Sequence, residues 1–525
     1  MNNSANILKW YPFRENAKVL EIYDTTSILE KIKKNFELEQ QSIQDLQIQG
    51  TYDYITLIGT FEYAPTIIEN EKAYSTFLRN LKEHLNEDGK ILLAIDNRLG
   101  IKYLAGAKSK YYSRIYEGVE SEIRQKMPNL LLKKEIEKFI KEAGFSNYKF
   151  YYPLPDYRNT NSIFTDEFLP KSNHSKILYP LSYEEGSNIT FNEIDVIKQI
   201  CDNDMFTYFT NSYFVEIGKK EIENTIKFVS YNILRKEKYK LILTIDKNSV
   251  KKVAENDEAI SHIRDIGKNL EELNSLGFKT IEKVENETIL GKFMKNELDD
   301  IIVEKIKHGK AEEAYKEIEN WYKYISDKLE KNAEYEENIF KQFNIEVPSE
   351  ILEKMNFVKQ GYIDLSFENI FYDNGYVFYD QEWKFDNIPL EFILYRSINN
   401  LYTYNSKKLG NFIEKDELFE KLTIKDYIIY FEELEKKIQT EILDEDVINE
   451  YRETISSYFK NNAVEEKVEQ TDEIIEDISE KRAEEIEEIV EETNEKVNET
   501  ESQEETENAN FNIGKMVKNL FRKNK

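Results

Sequence analysis

Residues 361–383, GYIDLSFENIFYDNGYVFYDQEW, decide how the chain is read. Three side chains able to handle a metal ion or a proton recur there: Asp364, Asn369 and Asp380. The apolar pieces IF and YVFY flank Asp373-Asn374-Gly375, where Asn and Gly tolerate the positive φ of a tight turn, so the segment reads as a hairpin. Such a hairpin brings Asn369 and Asp380 to the same end. A surface hairpin with ordinary polar residues is the plain alternative, because a lone D-x-x-x-x-N is common by chance. The compound pattern, with a further Asp behind the hairpin, is much rarer.

The spacing of Asp364 and Asn369, with Asp380 in the D-Q-E-W beyond, resembles that of protein kinases and of the small-molecule kinases built on the same scaffold. The resemblance implies that Asp364 orients an acceptor hydroxyl and that Asn369 and Asp380 hold Mg2+ against the phosphates of ATP. Upstream, TIKFV (225–229), YKLILTI (239–245) and SVKKVA (249–254) read as three strands, followed by a helix pattern over 257–273. That is the layout of a kinase N-lobe, with ILGKFM (289–294) as its hinge strand and 311–329 as the first long helix of the C-lobe. Strand alternation puts Val250, Lys252 and Ala254 on one face, which makes Lys252 the candidate phosphate-binding lysine and Lys251 the fallback. Glu258 is the candidate carboxylate to hold that lysine, or else a stabiliser of the helix start. His262, on the same helical face, reads as a packing residue. Two features depart from protein kinases: Tyr362 stands where His is usual, and no glycine-rich loop cradles phosphates. Asp380 is followed two residues on by Glu382, as in aminoglycoside- and choline-type phosphotransferases, which points to a small-molecule or glycan hydroxyl as acceptor.

The first half of the chain reads differently. AKVLEI (17–22), YDYITLIG (52–59) and ILLAI (91–95) are apolar runs separated by helix patterns and by the turn Glu87-Asp88-Gly89, which predicts a parallel sheet with right-handed crossovers. Their order, with EAGFSNYKFYYPLPDY after them and YFVEI (213–217) as a final antiparallel strand, resembles class I S-adenosylmethionine (SAM)-dependent methyltransferases over residues 1–218. In that family the first strand runs into a glycine-rich turn that lets backbone approach the cofactor. Here Tyr23, Asp24, Thr25 and Thr26 follow, and no glycine appears before Gly50. The interval from Ile22 to Tyr52 is also too short for two strand-helix units of about 30 residues each, so one unit is missing. These departures argue against SAM binding and leave a degenerate domain, kept as scaffold or binding surface, as the expectation. Asp96-Asn97-Arg98 either lines the remaining cleft or caps the next helix.

At 525 residues the chain has material for two folded domains and a tail. A net charge of −29 argues against nucleic acid as the main partner. The single cysteine, Cys201, allows no internal disulfide and reads as a buried thiol, which fits a reducing compartment. Residues 1–10 carry no signal-peptide pattern and no run of about 18 apolar residues occurs, so the expectation is a cytoplasmic protein. Residues 463–510 hold twenty acidic and four basic residues around a loose helical stripe, either a solvated helix or a coiled coil. Residues 511–525 hold five basic and no acidic residues, with apolar residues largely on one side. Such an end can lie on an anionic membrane or dock on the protein's own acidic surface.

The expected fold class is therefore α/β: a truncated Rossmann-like methyltransferase domain (1–218), a two-lobed kinase-like domain (219–460), an acidic helical stalk (463–510) and a basic amphipathic helix (511–525). That order resembles the bifunctional methyltransferase-kinase proteins that terminate bacterial O-antigen chains. The resemblance implies an ATP- and Mg2+-dependent kinase acting on a sugar hydroxyl of a surface glycan, with a glycosyltransferase and the inner face of the cell membrane as partners. The competing expectations are an assembly factor in which both domains are inactive, and an active SAM-dependent methyltransferase.

Overall fold

The computed structural model describes residues 4–32, 34–171, 187–191, 193–247, 249–294, 297–410, 412–450 and 453. The stalk and basic end expected over 463–525 lie outside them. The described residues form two compact units, one of 4–263 with 285–293 and the stretch from Leu443, the other of 264–284 with 294–442.

The first unit is built on one large sheet. Its strands are β1 (Ala17–Tyr23), β2 (Phe36–Ser42), β3 (Tyr52–Ile58), β4 (Leu85–Asp96), β5 (Asn147–Leu154), β6 (Ser162–Thr165), β7 (Ser212–Gly218), β8 (Ile226–Tyr231), β9 (Leu241–Asp246) and β10 (Ser249–Ala254); after β11 (Lys283–Glu285) at the boundary between the units comes β12 (Thr288–Lys292). They lie in the order β12-β10-β9-β8-β6-β5-β7-β4-β3-β1-β2. β2, β1, β3 and β4 are parallel, and β7 inserts antiparallel between β4 and β5. The near-continuous apolar runs of β1, β3 and β4 are explained by burial on both sides, Leu20, Ile55, Leu57 and residues 91–95 being fully enclosed. Helices Ala73–Glu83 and Lys133–Glu142 pack together through stacked Tyr74 and Phe139, ring centroids 4.9 Å apart.

Four sequence expectations meet the structure here. Among the described residues β2 is the one strand between β1 and β3, as a missing strand-helix unit requires, and β7 is the antiparallel strand expected at 213–217. The turn Glu87-Asp88-Gly89 does not precede a strand but interrupts one: Tyr52 pairs with Leu85 and Tyr54 with Lys90, so residues 86–89 bulge out of β4. The strands read as the start of a second domain continue the first unit's sheet instead, because short β6 has a free edge that β8 covers, Ser162 opposite Ser230 and Ile163 opposite Val229.

The second unit is mainly helical, with helices Leu298–Lys307, Ala311–Lys328, Leu390–Leu409, Lys415–Lys421 and Ile428–Ile442. Helix Ile260–Ser275 runs across the boundary between the units. Two small antiparallel pairs complete it: β13 (Phe357–Tyr362) with β16 (Lys384–Pro389), and β14 (Ile370–Tyr372) with β15 (Tyr376–Phe378). The second pair is the hairpin expected around Asp373-Asn374-Gly375, with Asn374 and Gly375 both at positive φ. Helix 390–409 is buried along most of its length and carries Phe392, Tyr395 and Ile398 into the core beside Phe431 of helix 428–442. Among the described residues no helix is long and apolar enough to cross a membrane.

The β6–β8 pairing makes a stability prediction. Val229→Asp places a charge at a fully buried position in the sheet, and is expected to lower the urea midpoint by the equivalent of about 3 kcal/mol or more. Ser249→Asp, at the exposed start of β10, is expected to stay within about 0.5 kcal/mol of the wild type.

Candidate functional site

The second unit gathers the 361–383 stretch around Asp364. β13 ends at Tyr362, and Gly361 is needed there because a Cβ would run into Ile388 of β16. The chain then turns through Asp364 into a 3-10 turn over Phe367–Asn369, braced by Trp321 of the long helix, whose indole N–H donates to the Leu365 carbonyl at 3.0 Å. Asp364 is 4% exposed. Its Oδ2 accepts the backbone N–H groups of Glu382 at 2.9 Å and Trp383 at 2.8 Å, while Oδ1 lies 3.9 Å from the guanidinium of Arg396. Its main-chain carbonyl accepts two side-chain amides, Asn369 Nδ2 at 3.2 Å and Gln381 Nε2 at 2.6 Å.

Asn369 and Asp380 are brought to the same end of the hairpin, as expected. The Tyr379 N–H donates to the Asn369 carbonyl at 3.0 Å, and Asp380 follows with φ +56, a left-handed conformation uncommon for a residue with a side chain. Its N–H is fixed by the buried Glu282 carboxylate at 2.6 Å. The Asn369 side-chain nitrogen is engaged by the Asp364 carbonyl, which leaves Oδ1 as the acceptor of that side chain. An amide oxygen and a partly exposed carboxylate are hard oxygen donors of the kind Mg2+ takes. Tyr362, two residues before Asp364, donates to Glu272 at 2.8 Å, and Lys384 bridges the same carboxylate at 2.7 Å.

Beside these lies an acidic group not anticipated from sequence. Carboxylate oxygens of Glu297, Asp299 and Asp300 lie within 4.8 Å of one another, and Tyr379 donates to Glu297 at 3.1 Å. Burial, then Glu297 and Glu368, push the Asp299 carboxyl up to about 7. The run NELDD was the available signal.

Lys252 and Glu258 belong to the first unit. Lys252 is buried in β10 while Lys251 is exposed, which separates the candidate from its fallback. Glu258 is exposed in the 3-10 turn Asp257–Ala259, where the Asn256 side chain caps its N–H at 2.9 Å. His262 is buried against Tyr239 at 5.0 Å, as a packing residue would be.

At the carboxyl edge of the first unit's parallel strands, the turn after β1 is closed by its own residues. Glu21 accepts from the N–H groups of Ile28 at 2.7 Å and Leu29 at 3.0 Å, from Ser27 Oγ and from Gln40 Nε2. Beyond β3, Gly59 sits at φ +71 directly under Tyr157, where a Cβ would strike the phenol oxygen. Asp96 is fully buried and takes Lys102 at 2.9 Å and Arg158 at 2.6 Å; Lys102 also reaches Asp156 at 2.8 Å. Burial alone would raise the Asp96 carboxyl, but the Arg158 and Lys102 charges outweigh it and hold it below the usual range. Asn97 and Arg98 are structural: Asn97 caps the following turn through Leu99, and Arg98 pairs with Glu135 at 2.9 Å. Glu62 is the exception, fully buried with neither carboxylate oxygen hydrogen-bonded among the described residues.

No protein-family model and no curated protein matches the chain. Solved structures do. A SAM-dependent methyltransferase from Thermotoga maritima is 14% identical over 42% of this chain and 88% of its own, with a TM-score of 0.24. One from Archaeoglobus fulgidus is 12% identical over 41% and 92%, TM-score 0.23, and one from Listeria monocytogenes 10% identical over 42% and 97%, TM-score 0.22. At such TM-scores the likeness carries no argument of its own. The strand order, with β7 antiparallel between β4 and β5, carries the methyltransferase-like fold by itself.

Burial, and then the Asp96 charge, push the Glu62 carboxyl up from 4.5 to about 7. A carboxyl raised in the folded state adds stability that is fully present below its unfolded value and is lost as pH rises through about 7. Glu62→Gln cannot ionise, so its stability relative to the wild type should grow between about pH 5 and about pH 8, by up to about 3 kcal/mol. Thermal midpoints of both proteins across that range check this, and parallel profiles would exclude it.

Proposed function

We propose that the chain is a phosphotransferase that moves the terminal phosphate of ATP, with Mg2+, onto a sugar hydroxyl in the synthesis of a bacterial surface polysaccharide. The observation that carries this reading is the Asp364 carbonyl, which takes the side-chain amides of both Asn369 and Gln381 and so gathers the acceptor-facing carboxylate, an amide and the Asp380 segment about one point. Mg2+, when bound, neutralises charge on the transferring phosphate, where positioning and electrostatics supply most of the catalysis. Asn369 and Asp380 are its proposed ligands. Asp364 orients the acceptor hydroxyl and takes its proton. The choice of a sugar as acceptor rests on the resemblance of the D-x-x-x-x-N and D-Q-E-W motifs, and of the domain order, to glycan-capping kinases.

We further propose that the methyltransferase-like part serves as scaffold and does not bind SAM, because the turn after β1 is closed on Glu21 where that cofactor needs bare backbone. Calorimetric titration of the full chain with SAM should show no saturable binding below about 100 µM.

The roles fail in different ways when removed. Asp380→Asn should weaken Mg-ATP binding about tenfold or more. Asp364→Asn should leave Mg-ATP binding nearly intact, since an Asn oxygen still accepts the Glu382 and Trp383 N–H groups, yet lower turnover about a hundredfold or more. Equilibrium binding and phosphate release by the full chain measure both. A wild type that ignores Mg-ATP would leave the assembly-factor reading in its place.

A further inference from the structure

We propose that Arg396 is a positioning residue for Asp364, an inference that rests on the phosphotransfer reading above. Arg396 lies on helix 390–409, is 2% exposed, and is paired through Nη1 with Glu435 of helix 428–442. Glu435 is itself held by Gln439 Nε2 at 2.6 Å. Nη2 turns the other way, to 3.9 Å from Asp364 Oδ1, and Nε is buried without a hydrogen-bond partner among the described residues. The guanidinium thus does more than close a neutral pair with Glu435. It is shared between that pair and Asp364, with Glu368 as the remaining acidic group in its field.

The division of labour on Asp364 follows. Oδ2 takes the Glu382 and Trp383 N–H groups, while Oδ1 is the oxygen on the Arg396 side. A carboxylate pinned at one oxygen still pivots about it. A cation 3.9 Å from the other oxygen sets its direction while being too distant to consume its lone pairs in a hydrogen bond. In the transfer, the bond from the γ-phosphorus to the β–γ bridging oxygen breaks, a bond to the acceptor oxygen forms, ADP leaves with the electron pair, and the hydroxyl proton passes to the Asp364 carboxylate. Arg396 touches none of the reacting atoms. Its effect is on the orientation of the one group that does.

The test separates this role from simple support of the fold. Removing Arg396 alone would strand Glu435 as a buried unpaired charge, so the informative variant is Arg396→Met with Glu435→Gln, which removes both charges and leaves an acceptor for Gln439. Uncharged replacement of a buried ion pair is often neutral for stability. In the full chain, with Mg-ATP as probe and water as acceptor, the expected result is a thermal midpoint and Mg-ATP affinity near wild type but a kcat about ten- to a hundredfold lower. Recovery of kcat together with stability would overturn the proposal, as would loss of Mg-ATP binding alongside kcat. Should the double variant not fold, Arg396→Lys decides: it keeps the charge but not the fork that reaches Glu435 and Asp364 together, and kcat should again fall about tenfold or more at unchanged affinity, an unchanged kcat being the contrary result. A wild type that neither binds nor hydrolyses Mg-ATP would remove the phosphotransfer reading itself, a different outcome from variants that match an active wild type.

Discussion

A carboxylate withdrawn from water must find donors within the fold, and much of this structure is arranged around that demand. In the second unit Asp364 meets it with two backbone N–H groups and Arg396, and in doing so joins a turn, the segment after a hairpin and two helices. In the first unit Asp96 and Asp156 share Lys102 and Arg158, while Glu216 takes the phenols of Tyr11 and Tyr151 and the ammonium of Lys90. Glu21 performs the same service for the turn after β1. At Asp364, Asp96 and Glu21 the charge helps fix where a loop closes, because an unmatched ion at these depths would cost several kcal/mol. Glu62 is the exception, its carboxyl pushed up to about 7 by burial.

These matched charges also explain why the two units read so differently against the families they resemble. The first keeps the strand order of a methyltransferase-like fold and closes the turn after β1 on Glu21. The second gathers Asp364, Asn369 and Asp380 in one place, though they are separated by a hairpin in sequence.

Much of this was legible beforehand because it is local. The apolar runs of β1, β3 and β4 show their burial in composition, and Asp373-Asn374-Gly375 shows the hairpin in its turn residues. The interval between Ile22 and Tyr52 counts out the lost unit. What was not legible is what sequence separation hides. Arg396 and Glu435 are 39 residues apart on different helices, and nothing in either segment marks a buried ion pair. Lys102 and Asp156 are 54 apart, and SIFT of β6 is too short to announce that it borders a strand some 65 positions on. The bulge at 86–89 was misread because Gly89 and its acidic neighbours look the same inside a strand as between two. Helix 298–307 was overlooked although its apolar residues, Leu298, Ile302, Val303 and Ile306, follow helical spacing.

The seam between β6 and β8 also bears on inheritance. Strands β8, β9, β10 and β12 finish a sheet begun by the strands of the methyltransferase-like fold. A recombination breakpoint at about residue 218 would leave two raw sheet edges, each a template for unwanted pairing with other chains. Each half therefore covers an edge of the other, and separating them would expose both to pairing with other chains.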